Sequence, residues 1–184
     1  MMQVKGAALS SIMRFVKNKF PDKFQMWLDS LSEKTQSALR DTKVAGWYDM
    51  NALKEATKKV CAFFYGGDVR GAREMGRVSA EYSLKGIFVI FVKIGSPNFV
   101  IGRAGRIIQA YYMPSEIEII ENTPVSAIVR ITKFDDIDPY IEARISGWIE
   151  MALSIHGVKN EKVEITRSLA NGDPYTELVF HWDN

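Results

Sequence analysis

An α+β fold is predicted by two patterns in the last third of the chain, Ser115–Asn184. The first is alternation. Ile117 and Ile119 alternate with Glu116 and Glu118. Val125, Ala127, Val129 and Ile131 alternate with Ser126, Arg130 and Thr132. Val163 and Ile165 repeat the pattern, as do Leu178, Phe180 and Trp182. A period of two buries one face of a strand and wets the other. The second pattern lies between these strand pairs. Asp138–His156 switches to helical spacing, with Ile141, Ile145, Trp148, Ile149, Ala152 and Leu153 on one stripe. Together they make a ββαββ unit at 114–184, a four-stranded antiparallel sheet with N-terminal helices (1–113) packed on it. No stretch reads as a linker, so 1–184 is expected to be one domain.

The helical part reads in order. Gln3–Phe20 has Val4, Ala8, Ile12, Phe15 and Val16 at helical spacing, and Pro21 ends it. Asp22–Leu31 follows, with Phe24, Trp27, Leu28 and Leu31 inward. Ser32–Gly46 is polar and reads as irregular, with at most one helical turn. Asp49 caps Met50–Tyr65, and Gly66-Gly67 stops it. Asp68 caps Val69–Leu84, with Met75, Val78 and Tyr82 inward. The apolar run Ile87–Ile94 fits a buried helix or a buried strand equally. Ser96-Pro97 restarts a helix through Tyr112, since proline suits a first turn. Pro114 ends it where the sheet begins.

Composition excludes several classes. The 184 residues carry 24 Lys+Arg against 22 Asp+Glu, a net charge of +2 that supplies no field for nucleic acid. One cysteine, Cys61, precludes an internal disulfide and a thiolate-rich metal site. The longest apolar run, Ile87–Val92, is far short of the ~20 residues a membrane span needs. Ala7–Leu9 is too short an apolar patch for a signal peptide, so a reducing, cytoplasmic setting is expected.

Motif by motif, the chain resembles a known superfamily. The opening VKGAALSSIMRFVKNKF, followed by FQMWLDSL, resembles the start of heme–nitric-oxide-binding domains. Near the end, ISGWIEMALSIHG, KVEITRSLA and NGDPYTELVFHW resemble the 4-vinyl reductase type domain and a paralogous family best known from myxobacteria. GRAGRIIQAYYMPSEIEI fits the same group. The resemblance covers most of the chain. It implies helices against a four-stranded antiparallel sheet, with a pocket between them. It also implies members that bind small apolar molecules or act in protein assembly, including the Golgi-tethering TRAPP branch. This chain departs from the vinyl-reductase pattern, which has cysteines where Ser168 and Thr176 stand. Heme-binding members place an axial histidine in a helix ahead of the sheet, whereas His156 and His181 both come late. YMPSE at Tyr112–Glu116 also lacks the arginine of their propionate-binding motif. The expectation is therefore no cofactor, heme included.

Each candidate residue has a structural and a functional reading. His156, at a helix end before Gly157, suits a cap that satisfies terminal carbonyls. His181 falls on the polar face of the last strand. Cys61 reads as a small core residue, with an acylated cysteine of the tethering branch as the alternative. Asp135, Asp136 and Asp138 precede a helix, where capping explains them. Arg70, Arg73, Arg77, Arg103 and Arg106 flank the apolar middle and are expected to pair with Glu74, Glu81 or the Glu116–Glu121 strand. Gly102 and Gly105 between the last two suit close packing. Arg103 and Arg106 also suit an anionic headgroup, because guanidinium forks match carboxylates. Phe63 joins an aromatic set containing Phe64, Phe88, Phe91, Tyr111, Tyr112 and Trp148, the last six being the candidate walls of a ligand pocket.

No catalytic constellation appears, so an enzyme is not expected. The leading reading is a non-enzymatic ligand-binding or sensory domain for a small apolar molecule, in a pocket between helices and sheet. The alternative is a protein-interaction or homodimerisation module, with Tyr175, Val179 and His181 on the wet face of the last strand.

Overall fold

The computed structural model describes residues 1–85 and 96–183. The architecture is α+β, with two antiparallel sheets. Among the described residues the helices are α1 (Gly6–Lys19), α2 (Phe24–Asp29), α3 (Glu33–Arg40), α4 (Met50–Tyr65), α5 (Arg70–Lys85), α6 (Pro97–Tyr111) and α7 (Pro139–Ile155). The strands are β1 (Gln3–Lys5), β2 (Trp47–Asp49), β3 (Tyr112–Met113), β4 (Ser115–Asn122), β5 (Ser126–Phe134), β6 (Lys159–Arg167) and β7 (Thr176–Asp183). The apolar run from Ile87, with Phe88 and Phe91, lies outside the described residues.

The ββαββ unit forms as its pattern predicts. The large sheet has the order β4-β5-β7-β6, antiparallel throughout. Ala127 faces Phe180, Val129 faces Leu178 and Ile131 faces Thr176 across β5 and β7, all fully buried. The last strand is interior, so the sheet edges belong to β4 and β6 rather than to β7. On edge strand β6, Val163 is half-buried and Ile165 is exposed. Val125 is likewise exposed, and β5 begins one residue after it.

Helix α7 is where the predicted amphipathic pattern and the structure differ. It is buried on nearly every face, because the sheet covers one side and α5 the other. Glu142, Arg144 and Glu150 are buried with it. Arg73 and Arg77 on α5 both reach Glu150, Arg73 at 2.7 Å, and Arg77 also lies 3.7 Å from Glu161. The α5 arginines therefore pair across the helix interface, while Arg70 pairs with Asp68 at 2.8 Å. Tyr82, expected inward, is 37% exposed under the Arg14 guanidinium.

Caps form where the sequence places them. Asp49, Ser96 and Asp138 accept backbone N–H groups at the starts of α4, α6 and α7. Gly66 closes α4 in the left-handed conformation, at φ 62°. Two features escape the sequence pattern. Helix α3 replaces part of the expected irregular segment, with Ser32 as its cap. Gln3 belongs to a small β2-β1-β3 sheet, pairing with Asp49 on one side and Met113 on the other. Strands of two or three residues are too short to show a period. No described helix is long and apolar enough to cross a membrane.

Candidate functional site

Helix α6 is fastened at its start and again midway along. At its start, Asn98 Nδ2 donates to Asn122 Oδ1 (2.8 Å) and to the Thr123 carbonyl (2.7 Å) on the β4–β5 hairpin. Further along, Gly105 lies against β4, where a Cβ would come 3.4 Å from Ile117 Cβ. Its opposite flank meets α5 and α7 through a small core of Ala80, Leu84, Val100 and Ala152. Beside that core is a cavity of about 380 Å³. Its apolar wall includes Leu84, Phe99, Val100, Ile107, Tyr111 and Trp148, and its polar groups are Arg103, Arg106 and His156.

Local contacts set the orientation of these groups. The Tyr111 and Trp148 rings lie 6.3 Å apart, and the Tyr111 hydroxyl is 2.7 Å from Ser83 Oγ. The Arg103 guanidinium stacks over Phe99, 3.4 Å from the ring centre. His156 caps α7, and its Nδ1 is 2.7 Å from the Ala152 carbonyl oxygen. A carbonyl only accepts, so Nδ1 carries a proton in this contact.

A second, smaller space of about 20 Å³ lies alongside, sharing Ile107, Tyr111 and Trp148 with the larger one. Ser79, Tyr112 and Arg144 complete its polar lining. Arg144 is 2% exposed. Its Nη2 donates to Ser11 Oγ at 2.7 Å and to the Ala8 carbonyl at 3.1 Å. Its Nη1 and the Trp148 Nε1–H are buried without a hydrogen-bond partner. Burial pushes the Arg144 pKa down, and Tyr112 beside it pulls it up.

The predicted site residues divide spatially. Tyr111, Trp148, Arg103 and Arg106 line the large cavity, and Tyr112 lines the small one. Phe64 stacks on Phe20 instead, with ring centres 4.0 Å apart, because the end of α4 faces α1. Cys61 is fully buried, and burial pushes its thiol up to about 11. Ser168 and Thr176 donate their hydroxyls to the buried Glu142 carboxylate, Ser168 at 2.6 Å. His181 is exposed, and Tyr175 lies under Arg130 and Arg167. Asp136 pairs with Lys54 at 2.7 Å. Sequence reasoning missed Arg144 and Ser79. The signal for Arg144 was present: it stands three residues after Ile141 and four before Trp148, on the apolar stripe itself.

No protein-family model and no curated protein matches the sequence. Solved structures do match. An H-NOX protein from S. oneidensis in the Fe(II)NO ligation state has a TM-score of 0.74 at 13% identity, over 98% of this chain and 99% of its own. An Fe(II) unliganded H-NOX mutant from K. algicida has a TM-score of 0.74 at 8% identity, over 98% of this chain and 97% of that one. A structure described under heme redox potential and protein-induced porphyrin distortion has a TM-score of 0.67 at 12% identity, over 98% and 99% of the two chains. At these identities the likeness establishes the fold, which is the heme-NO-binding one.

This finding corrects the expectation that no cofactor belongs here. Similar structures are described in Fe(II)NO and Fe(II)CO ligation states, so the exclusion of heme does not stand. It had rested on how late the histidines come in the chain and on the arginine missing from Tyr112–Glu116. The fold nevertheless brings His156 to the wall of the cavity that α6 lines.

Proposed function

We propose that the chain is a non-enzymatic, ligand-binding sensory domain. Its ligand is a small, largely apolar molecule with an anionic end, held between α5, α6 and α7. The observation that carries this reading is the cavity of about 380 Å³, apolar-walled and bordered by Arg103 and Arg106. Small-molecule sites have this size and this sparing use of polar groups. Burial of apolar area drives binding, at about 25 cal/mol per Å² before the costs of association. Trp148 and Tyr111 keep water from the apolar part, and Ser83 fixes the Tyr111 hydroxyl.

Heme is one molecule of this description, and the residues present fit it. His156 is the imidazole on the cavity wall, and Arg103 and Arg106 would hold the carboxylates. Bound there, heme would supply an iron able to take a diatomic ligand.

Native mass spectrometry beside the denatured mass, with an absorption scan before and after adding hemin, tests the reading. A non-covalent mass, or a hemin spectrum, that is lost in Trp148→Ala supports it. A bare polypeptide that takes up neither hemin nor a simple apolar probe such as decanol overturns it.

A further inference from the structure

Arg144 is a buried cation without a counter-ion. Among the described residues it forms no ion pair, and its polar contacts are Ser11, the Ala8 carbonyl and the neighbouring Tyr112. The contrast with Glu142 on the same helix is informative. Glu142 is equally buried, yet it accepts from Ser168 Oγ, Thr176 Oγ1 and the Ala170 N–H. One buried charge is thus saturated with partners, and the other keeps Nη1 unused. A second orphaned donor, the Trp148 Nε1–H, belongs to another residue that lines the same small cavity. Among the described residues four buried side-chain polar atoms lack a partner, Trp27 Nε1 and Thr57 Oγ1 being the others, and the two on residues of one cavity leave room for an acceptor between them. A single water fits the volume and would answer the hydrogen bonds. It would leave the positive charge uncompensated in a low-dielectric interior, where an isolated ion is most costly.

We propose that Arg144 and Trp148 receive the carboxylate end of the ligand whose apolar body fills the larger cavity, making the ligand an amphiphilic carboxylic acid. The inference rests on the sensory-domain reading and deepens it. Ile107, Tyr111 and Trp148 line both spaces, so the small space adjoins the large one and lies within reach of the end of a chain held there. The guanidinium fork and the indole N–H supply donors, and the carboxylate supplies only acceptors. Arg103 and Arg106 then act as a positive rim that steers the anion inward, rather than as its final partners.

The test uses the full chain and three probes: decanoate, decanol and acetate. Binding is read by calorimetry and by tryptophan fluorescence. Decanoate is expected to bind at least tenfold more tightly than decanol. Arg144→Met should remove that preference, bringing decanoate binding to the level of decanol in the same variant. Trp148→Phe, which keeps a ring and loses the N–H, should reduce the preference in part, and it serves if Arg144→Met fails to fold. Decanol binding with no preference for decanoate would overturn the carboxylate site while sparing the pocket. A preference that survives both variants and disappears in Arg103→Gln/Arg106→Gln would overturn it in favour of the rim. Acetate binding as tightly as decanoate, in an Arg144-dependent way, would overturn the ligand-end assignment in favour of a free-anion site. Binding of neither decanol nor decanoate would overturn the pocket and the inference together.

Discussion

Gly76 on α5 and Gly147 on α7 each touch the other helix's backbone. A Cβ on Gly76 would lie 2.0 Å from the Arg144 carbonyl oxygen, and one on Gly147 would lie 2.1 Å from that of Arg73. No real Cβ approaches so near, and the obstacle in each case is backbone. This crossing sets the separation of the helices that carry Leu84 and Trp148, and with it the width of the cavity.

Alanine at either glycine therefore forces α5 and α7 apart. Overpacking costs about 1–3 kcal/mol, and rigid backbone on the far side puts these two sites at the upper end of that range. Urea unfolding of Gly76→Ala and Gly147→Ala measures it. A loss below about 0.5 kcal/mol would mean that the helices slide without strain.

Glu142 offers a different kind of test. Its three donors come from Ser168, Thr176 and the Ala170 N–H, two of them at positions where the resembled vinyl-reductase pattern has cysteines. Glu142→Leu removes the acceptor and strands buried hydroxyls, at about 1–3 kcal/mol. Thr176→Val should cost on the order of 1 kcal/mol. A double-mutant cycle between Ser168→Ala and Thr176→Val should show coupling, because both hydroxyls serve one carboxylate. Strict additivity in the urea midpoints would contradict that.

Much of this was legible in the sequence, and the failures share a cause. Alternation in Ala127–Ile131 and Leu178–Trp182 marked the central strands, because one face of the sheet is wet. Asp49 and Asp138 marked helix starts because capping is local chemistry, and Pro97 marked another because proline suits a first turn. Helix α3 was invisible because only Thr35 and Leu39 are buried on it. What anchors it is Glu55, on another helix. The burial of Glu142 and Arg144 was also hidden. A charged residue on a helix reads as solvated until the layer above it is known, and that layer is α5. Tyr111 and Trp148 were legible as aromatics, but which cavity they line depends on how α6 and α7 cross.

The α3 anchor should be sensitive to acid. Burial pushes the Glu55 carboxyl up, but hydrogen bonds from Thr35, Ser32 Oγ and the Ser32 N–H outweigh it, so its pKa is lowered overall. A lowered folded-state pKa gives stability that is present above the unfolded value, about 4.3, and is lost as pH falls through the folded value. Wild type should thus be more stable than Glu55→Gln at pH 7, and the gap should begin to close as pH falls below about 4.3, the unfolded value. Parallel stability curves down to acid pH would remove this role.

Cys61 should be inert while the chain is folded. Its thiol is fully buried, and burial raises its pKa to about 11. At pH 8 the thiolate that reacts with alkylating agents is about one part in a thousand, and it is shielded as well. Iodoacetamide should label the protein only at the rate of unfolding, followed by mass spectrometry with and without urea. Fast labelling of the native protein would place the thiol in reach of solvent.

Arg144 yields the least intuitive prediction. Truncating a buried residue of this size normally destabilises, and Arg144→Ala should do so by leaving a cavity. Arg144→Met keeps most of the volume and removes the charge. It loses contacts to Ser11, the Ala8 carbonyl and Tyr112, although Ser11 Oγ already donates to the Ala8 carbonyl at 2.7 Å. What disappears is a guanidinium desolvated without a counter-ion, and replacing buried ions by apolar groups of similar volume is often neutral or stabilising by about 1–4 kcal/mol. In ligand-free protein, the urea midpoint of Arg144→Met should therefore equal or exceed that of wild type. Such a result would mark the cation as a group held in place for something other than stability. A midpoint lowered as far as that of Arg144→Ala would instead make Arg144 a structural pillar of the α1–α7 contact.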